Sequence, residues 1–181
     1  NTLGMGIALA CCMTAYLLLA FNIEFDYYFK ETDLSNMVKL IHHQDRADGA
    51  VKKNMVAPIV MPPIAAEDIS GIDDFTRYVA ADAYVSYGEE SFEENISFAD
   101  ESFFELFNFK LLSGALENFK DINSIFLSRE MANKYFNNQQ PVGKLMIIEM
   151  RNKEYEVVVG GVLEDIPLNT TFHNNFIMRI E

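Results

Sequence analysis

Ser128 and the Gly143-Lys144 pair most invite a chemical reading, in the stretch SREMANKYFNNQQPVGK at residues 128–144. A hydroxyl, several charges and a Gly-Lys pair after a turn are the ingredients of a phosphate-binding loop. That loop needs G-x-x-x-x-G-K-[ST], in which backbone amides and the lysine surround the phosphates and the hydroxyl holds magnesium. Here Leu145 follows Lys144 and Asn138 occupies the first glycine position, so the pattern fails. The stretch reads instead as a capped helix and the turn after it.

The other reactive residue types fare no better. Ser86, Ser91, Ser97, Ser113 and Ser128 could each be a nucleophile, but none sits in G-x-S-x-G or S-x-x-K. His42 and His43 are adjacent, so on a strand they point to opposite faces and cannot share a metal. His173 is the one remaining histidine, and a zinc site needs three or four converging ligands. Glu89-Glu90 and Glu93-Glu94 could attract calcium, yet they lack the D-x-D-x-D-G spacing of a preformed loop and read as a solvated acidic edge. Asn95-Ile96-Ser97 and Asn169-Thr170-Thr171 fit the short glycosylation acceptor pattern, which often matches by chance. No catalytic, cofactor-binding or metal-binding set assembles, and the chain reads as a non-enzyme.

Charge narrows the partners. The 181 residues hold 27 acidic against 14 basic side chains, a formal net charge of −13. Phosphate backbones need clustered Lys and Arg, so no nucleic acid is expected, and an anionic membrane surface is disfavoured in the same way.

The strongest signal is apolar. Residues 1–23 carry no charged side chain. At 1.5 Å per residue the run reaches about 33 Å, enough for a hydrocarbon core of ~30 Å. It reads as a transmembrane helix with lipid around residues 2–23, rather than a core helix or a cleaved signal, whose apolar region is shorter. Glu24, Asp26, Glu31 and Asp33 follow against a single Lys30. Cytoplasmic flanks favour Lys and Arg, so this side is expected outside the cytoplasm. Cys11 and Cys12 lie together inside the span, so the outer domain must hold without disulfides. The chain opens within an apolar pattern and stops after a strand-like run, and reads as a fragment.

Beyond the span, EFDYYFKETD is expected to continue the helix as a stalk, with Tyr27 and Tyr28 as interfacial anchors. NMVKLIHH alternates and predicts a first strand; QDRADGAVKKN predicts a loop or hairpin. MVAPIVMPP is expected to be extended because each proline disfavours helix before it, with Pro63 opening a short helix that ends near Gly71. Two aromatic and β-branched runs, DDFTRYVAADAYVSYG and SFEENISFAD, predict strands. Asp100 is expected to cap a helix ESFFELFN whose Phe103, Phe104 and Phe107 form an apolar stripe. FKLLSG and SIFLS predict short strands. Ser128 is expected to cap REMANKYF, with Met131, Ala132, Tyr135 and Phe136 on its inner face and Glu130 paired to Lys134. KLMIIEM, EYEVVVGGVLED and FHNNFIMRI predict further strands, with a bulge at Gly160-Gly161. The fold class is α+β: a mixed sheet covered by short helices.

Taken in order, NTLGMGIAL, EFDYYF, ADESFFELFNFKLLSG, SIFLSREMANKYF, PVGK and VVGGVLEDIPLNTTFH resemble the N-terminal part of MacB-like and FtsX-like ABC transporter permeases, above all those of Bacteroidetes. The resemblance runs over nearly the whole chain. It implies a transmembrane helix at 1–23, a stalk at 24–33 and a periplasmic core domain at 34–181, in the bacterial inner membrane with residues 24–181 in the periplasm. It implies as partners a separate cytoplasmic ABC ATPase subunit, a second permease subunit in a homo- or heterodimer, and a periplasmic adaptor or substrate protein. ATP hydrolysis would belong to the ATPase, whose closure the helices pass outward as movement for export, efflux or lipoprotein release. Residues 23–32 are the expected joint between helix and domain. The alternative is an extracytoplasmic ligand-sensing domain of a signalling protein; a membrane-anchored envelope enzyme ranks below both.

Overall fold

The computed structural model describes residues 1–29, 36–40, 42–45, 51–54, 57–137, 139–167, 169–172 and 174–180. Helix α1, Thr2–Ile23, carries no buried residue. Its length and hydropathy suit a membrane span, and none of the described residues packs over it as over a core helix.

The expectation of a continuous helical stalk is corrected. Helix α1 stops at Ile23, residues 24–26 turn, and Tyr27–Phe29 form one 3-10 turn. Asp26 at φ 60° breaks the helix, because a left-handed residue cannot continue a right-handed ladder. The rest of the expected stalk, residues 30–33, lies outside the described residues.

Strands β1, His42–Asp45, and β2, Val51–Asn54, pair antiparallel, as a hairpin over the polar loop requires. The first strand therefore lies later than NMVKLIHH suggests: residues 37–40 have no regular structure, and residue 41 lies outside the described residues. Helix α2, Met61–Asp68, has Pro63 in its first turn as expected but already starts at Met61, so the extended reading of MVAPIVMPP is corrected at Met61 and Pro62. Proline fits a first helical turn, whose N–H groups have no intrahelical acceptor to lose.

The main sheet contains β3 (Tyr78–Tyr87), β4 (Glu90–Ala99), β5 (Leu111–Gly114), β6 (Ser124–Leu127), β7 (Leu145–Met150), β8 (Lys153–Leu163) and β9 (Phe176–Arg179). Its order is β5-β8-β6-β9-β4-β3-β7, and β7 pairs back onto β8. The sheet thus closes into a ring, with β5 attached to the far part of β8. Pairings β4–β9 and β6–β8 are parallel; the others are antiparallel. The expected bulge falls at Gly160, where the β6–β8 register shifts between Ile125 and Phe126. A Cβ on Gly160 would collide with Ser124 Oγ and Phe126, so only glycine lets these strands approach.

Two apolar clusters fill the two sides of this sheet. Inside the ring, Val85, Ile96, Ile125, Leu127, Ile148 and Phe176 meet helix α4, Arg129–Phe136. Met131, Ala132, Tyr135 and Phe136 form the buried face of α4, as its spacing predicts, and Ser128 Oγ accepts the Met131 N–H at 3.2 Å. Lys134 does not pair with Glu130. It reaches across to Glu94 on β4 at 2.6 Å, and its ammonium lies 4.3 Å from the Phe92 ring centre.

The second cluster lies outside the ring, where helix α3, Phe103–Phe107, and the 3-10 turn Leu116–Lys120 cover the sheet. Phe103, Phe104, Phe109, Phe119 and Phe126 are all buried there. The Asp100 cap is corrected: its carboxylate takes the Arg77 guanidinium at 2.6 Å and the Arg77 backbone N–H at 2.6 Å. A long-range cation outcompetes a local cap because a bidentate charge-assisted pair is the stronger bond. That hydrogen bond holds the Arg77 guanidinium above its ordinary pKa.

Candidate functional site

The expected joint at residues 23–32 is where the structure concentrates unusual features, in its described part, 23–29. Glu24, Asp26 and Phe29 each bond or pack onto the loop that leaves β8, far away in sequence. Asp26 is held in its left-handed conformation from three directions. Its backbone N–H donates to Asn169 O at 2.8 Å. Its two carboxylate oxygens accept the Thr171 N–H and the Thr171 hydroxyl, each at 2.6 Å. Asn169 Nδ2 donates back to Glu24 O at 2.9 Å, a carbonyl at the end of α1 that also accepts the Tyr27 N–H at 3.1 Å. Aspartate suits this corner because its short side chain tolerates positive φ and can accept two bonds at once.

Three residues on, Phe29 is 2 % exposed. Its ring sits edge-on to Phe107, Phe109 and Phe172, with centroids 5.6, 5.4 and 5.7 Å away. The chain leaving α1 is therefore pinned twice, by a polar clamp at Asp26 and by an aromatic plug at Phe29. Burial pushes the Tyr28 phenol above its ordinary pKa, and the nearby Glu164 carboxylate adds to this. Tyr28 packs on the same cluster, whereas Tyr27 points outward at 58 % exposure.

The loop is itself built to hold its shape. Thr170 is buried and its hydroxyl donates to Pro167 O at 2.9 Å, which turns the chain so that Asn169 and Thr171 face α1. Behind the plug, Tyr78 Oη bonds both Ser97 Oγ and Asn174 Oδ1 at 2.8 Å. Burial raises the Tyr78 pKa. The clamp, the plug and the hydrogen bonds behind it thus form one connected contact between the end of α1 and the loop after β8.

The residues weighed for chemistry are scattered. Ser86 and Ser91 bond each other across β3 and β4 at 2.8 Å; Ser97 bonds Tyr78, Ser128 caps α4 and Ser113 lies in β5. Glu94 joins Lys134 and Tyr135, while Glu89, Glu90 and Glu93 are exposed at the β3–β4 end. No three His, Cys, Asp or Glu side chains converge among the described residues. His173 and the side chains of His42 and His43 lie outside them. Lys144 donates its backbone N–H to Pro141 O at 3.0 Å, the turn that its sequence predicts. Both halves of the clamp lie in the stretches EFDYYF and LNTTFH, where Asn169 and Thr171 also match the glycosylation acceptor pattern, which says nothing of their bonds to Glu24 and Asp26.

A family model described as "MacB-like periplasmic core domain" matches residues 1–180. The fold is similar to a domain of a permease protein from Porphyromonas gingivalis, with TM-score 0.64 at 20 % identity over 76 % of this chain and 60 % of that one. It is also similar to the periplasmic region of MacB from Actinobacillus actinomycetemcomitans, with TM-score 0.50 at 21 % identity over 65 % and 52 %. A third similar structure is the extracellular domain of the ABC-type transporter YknZ from Gram-positive bacteria, with TM-score 0.50 at 17 % identity over 64 % and 59 %. The chain thus spans between half and three-fifths of each of these structures. No curated protein matches its sequence.

Proposed function

Since this chain belongs to the MacB-like periplasmic core domain family, we propose that it is the periplasmic core region of an ABC transporter permease, working by being moved. In this reading α1 crosses the inner membrane, an ATPase subunit works on the cytoplasmic side, and residues 24–181 lie in the periplasm. A second permease subunit and a periplasmic adaptor or substrate protein complete the assembly. Closure of the ATPases tilts the helices, and the tilt reaches the periplasmic domain for export, efflux or lipoprotein release.

The observation that carries the reading is the double pin at the end of α1. A helix on a slack tether would move without its domain. A chain held within six residues by Asp26 and by the buried Phe29 ring turns helix and domain together. The test is a Gly-Gly insertion after Phe29 in the full-length permease, reconstituted with its ATPase. ATP hydrolysis should persist while transport falls at least tenfold. Transport at the unmodified rate would mean that the segment is a passive tether.

A further inference from the structure

One buried amide in the clamping loop is only half satisfied. Asn174 is 4 % exposed, and its Oδ1 accepts the Tyr78 hydroxyl at 2.8 Å. Its Nδ2 is sealed in the interior and meets no protein partner. Turning the amide over would swap the two ends and leave Oδ1 unpaired instead, so one end stays unmade either way. A sealed polar end without a bond costs folding energy, whereas an apolar side chain of similar shape carries no such cost. The energy is held as strain, and any conformation that pairs the amide recovers it.

The neighbouring contacts are tied to this one. Tyr78 is their common seat: its hydroxyl bonds Asn174, and its ring meets the Phe172 ring edge-on at 5.1 Å. Phe172 also packs on Phe29 in the plug, and Thr171 beside it donates to both Asp26 carboxylate oxygens. Because Asn174 is sealed, its unpaired end can reach a partner only when the backbone around it leaves Tyr78. Asn174 lies two residues beyond Phe172 and three beyond Thr171, so that movement lifts the ring from Tyr78 and draws Thr171 from Asp26. Tyr78 tolerates the loss, since Ser97 Oγ at 2.8 Å remains bonded to its hydroxyl.

We propose that Thr171, Phe172 and Asn174 form a latch, seated on Asp26 and Tyr78, that opens as one unit. Shut, it fixes the end of α1 to the ring at two points. Open, it pairs the Asn174 amide fully and leaves the end of α1 held by Phe29 alone, against Phe107 and Phe109. The latch gives the joint a released state besides the rigid one. It is a property of the folded domain and does not rest on what the chain moves.

The experiment is amide hydrogen exchange, resolved to single residues, on the full-length protein in lipid nanodiscs. Two amides report the latch: Thr171 N–H, which donates to Asp26, and Asp26 N–H, which donates to Asn169 O. Opening as a unit should give both the same protection, about a hundredfold below that of the β6 amides. Asn174→Leu removes the half-made amide while Tyr78 keeps Ser97, and should slow both amides about tenfold with β6 unchanged. The comparison within the parent protein decides the matter even where the leucine variant fails to fold. Two amides that exchange independently, or as slowly as β6, would show that no such unit opens. Exchange unchanged or faster in Asn174→Leu would show the amide already satisfied, by a buried water or by the rest of the polypeptide, and would equally overturn the proposal.

Discussion

Replacing Asp26 by alanine tests the clamp where its strength can be worked out. The carboxylate accepts two hydrogen bonds of 2.6 Å from Thr171, one from the backbone and one from the hydroxyl. Charge-assisted bonds contribute about 1.5–3 kcal/mol each when buried. Asp26 is only half-buried, so about 1 kcal/mol each is the fair figure. Alanine also pays about 1–2 kcal/mol to hold the φ of 60° that the corner demands. Together the clamp should lose about 3 kcal/mol, or roughly a hundredfold in its closed-to-open ratio at 1.4 kcal/mol per tenfold. Local opening is read by amide hydrogen exchange. The Thr171 amide, which donates to Asp26, should exchange about a hundredfold faster in Asp26→Ala, while the amides of β6 stay unchanged. Asp26→Gly separates the two contributions: it loses the bonds but adopts positive φ freely, so roughly a thirtyfold effect is expected. Thr171→Val keeps the amide and removes one bond, and its effect should not add to that of Asp26→Ala because both break the same contact. If Thr171 exchanged at its original rate in the alanine variant, the corner would be held by Phe29 alone.

Two further outcomes probe the ring. Gly160→Ala puts a methyl group onto Ser124 Oγ and within 3.0 Å of Asn118 Cβ, and such overpacking should cost about 1–3 kcal/mol, seen as a lower melting temperature; an unchanged melt would show that β6 and β8 can separate there. Tyr135 is buried and faces Glu94 at 3.0 Å, and burial together with that carboxylate raises its phenol well above the ordinary value of 10. The folded state therefore keeps the proton longer than the unfolded chain, so stability is complete below about pH 10 and falls as pH rises beyond it. Between pH 8 and 11 the parent should lose about 1.4 kcal/mol that Tyr135→Phe does not, and parallel melting curves would show the phenol to be solvated.

Local chemistry explains what the sequence makes legible. Ser128 caps α4 through a bond to the third residue on, and the buried face of α4 follows from i, i+3, i+4 spacing. The Gly160-Gly161 bulge is equally local in origin. What sequence reading misses is decided by partners far along the chain. Asp100 has the right type and place for a helix cap, but Arg77 claims both its oxygens. Lys134 is four residues from Glu130 and still turns to Glu94. Ring closure rests on three residue pairs between β3 and β7, too few to leave a pattern in either strand. Asp26 looks like an ordinary helical residue until Thr171 meets it. The candidate joint could thus be located by its position after the span, but not understood, because its second half lies 145 residues away.

That distance bears on how a helix could move a domain of this shape. A pull on α1 reaches Asp26 and Phe29 first, and from them passes into residues 166–172. This loop leads back into β8, which is hydrogen-bonded to β5, β6 and β7, and forward to β9, bonded to β4 and β6. In the proposed reading, force entering between these strands would be shared over most of the ring at once, with no single strand pair bearing it. Had the span been joined to the β1–β2 hairpin alone, the same tilt would have been absorbed by a two-stranded ribbon outside the ring. In that reading, attachment beside the most connected strand suits a rigid transmission, and the Asp26 carboxylate and the buried Phe29 ring share that attachment.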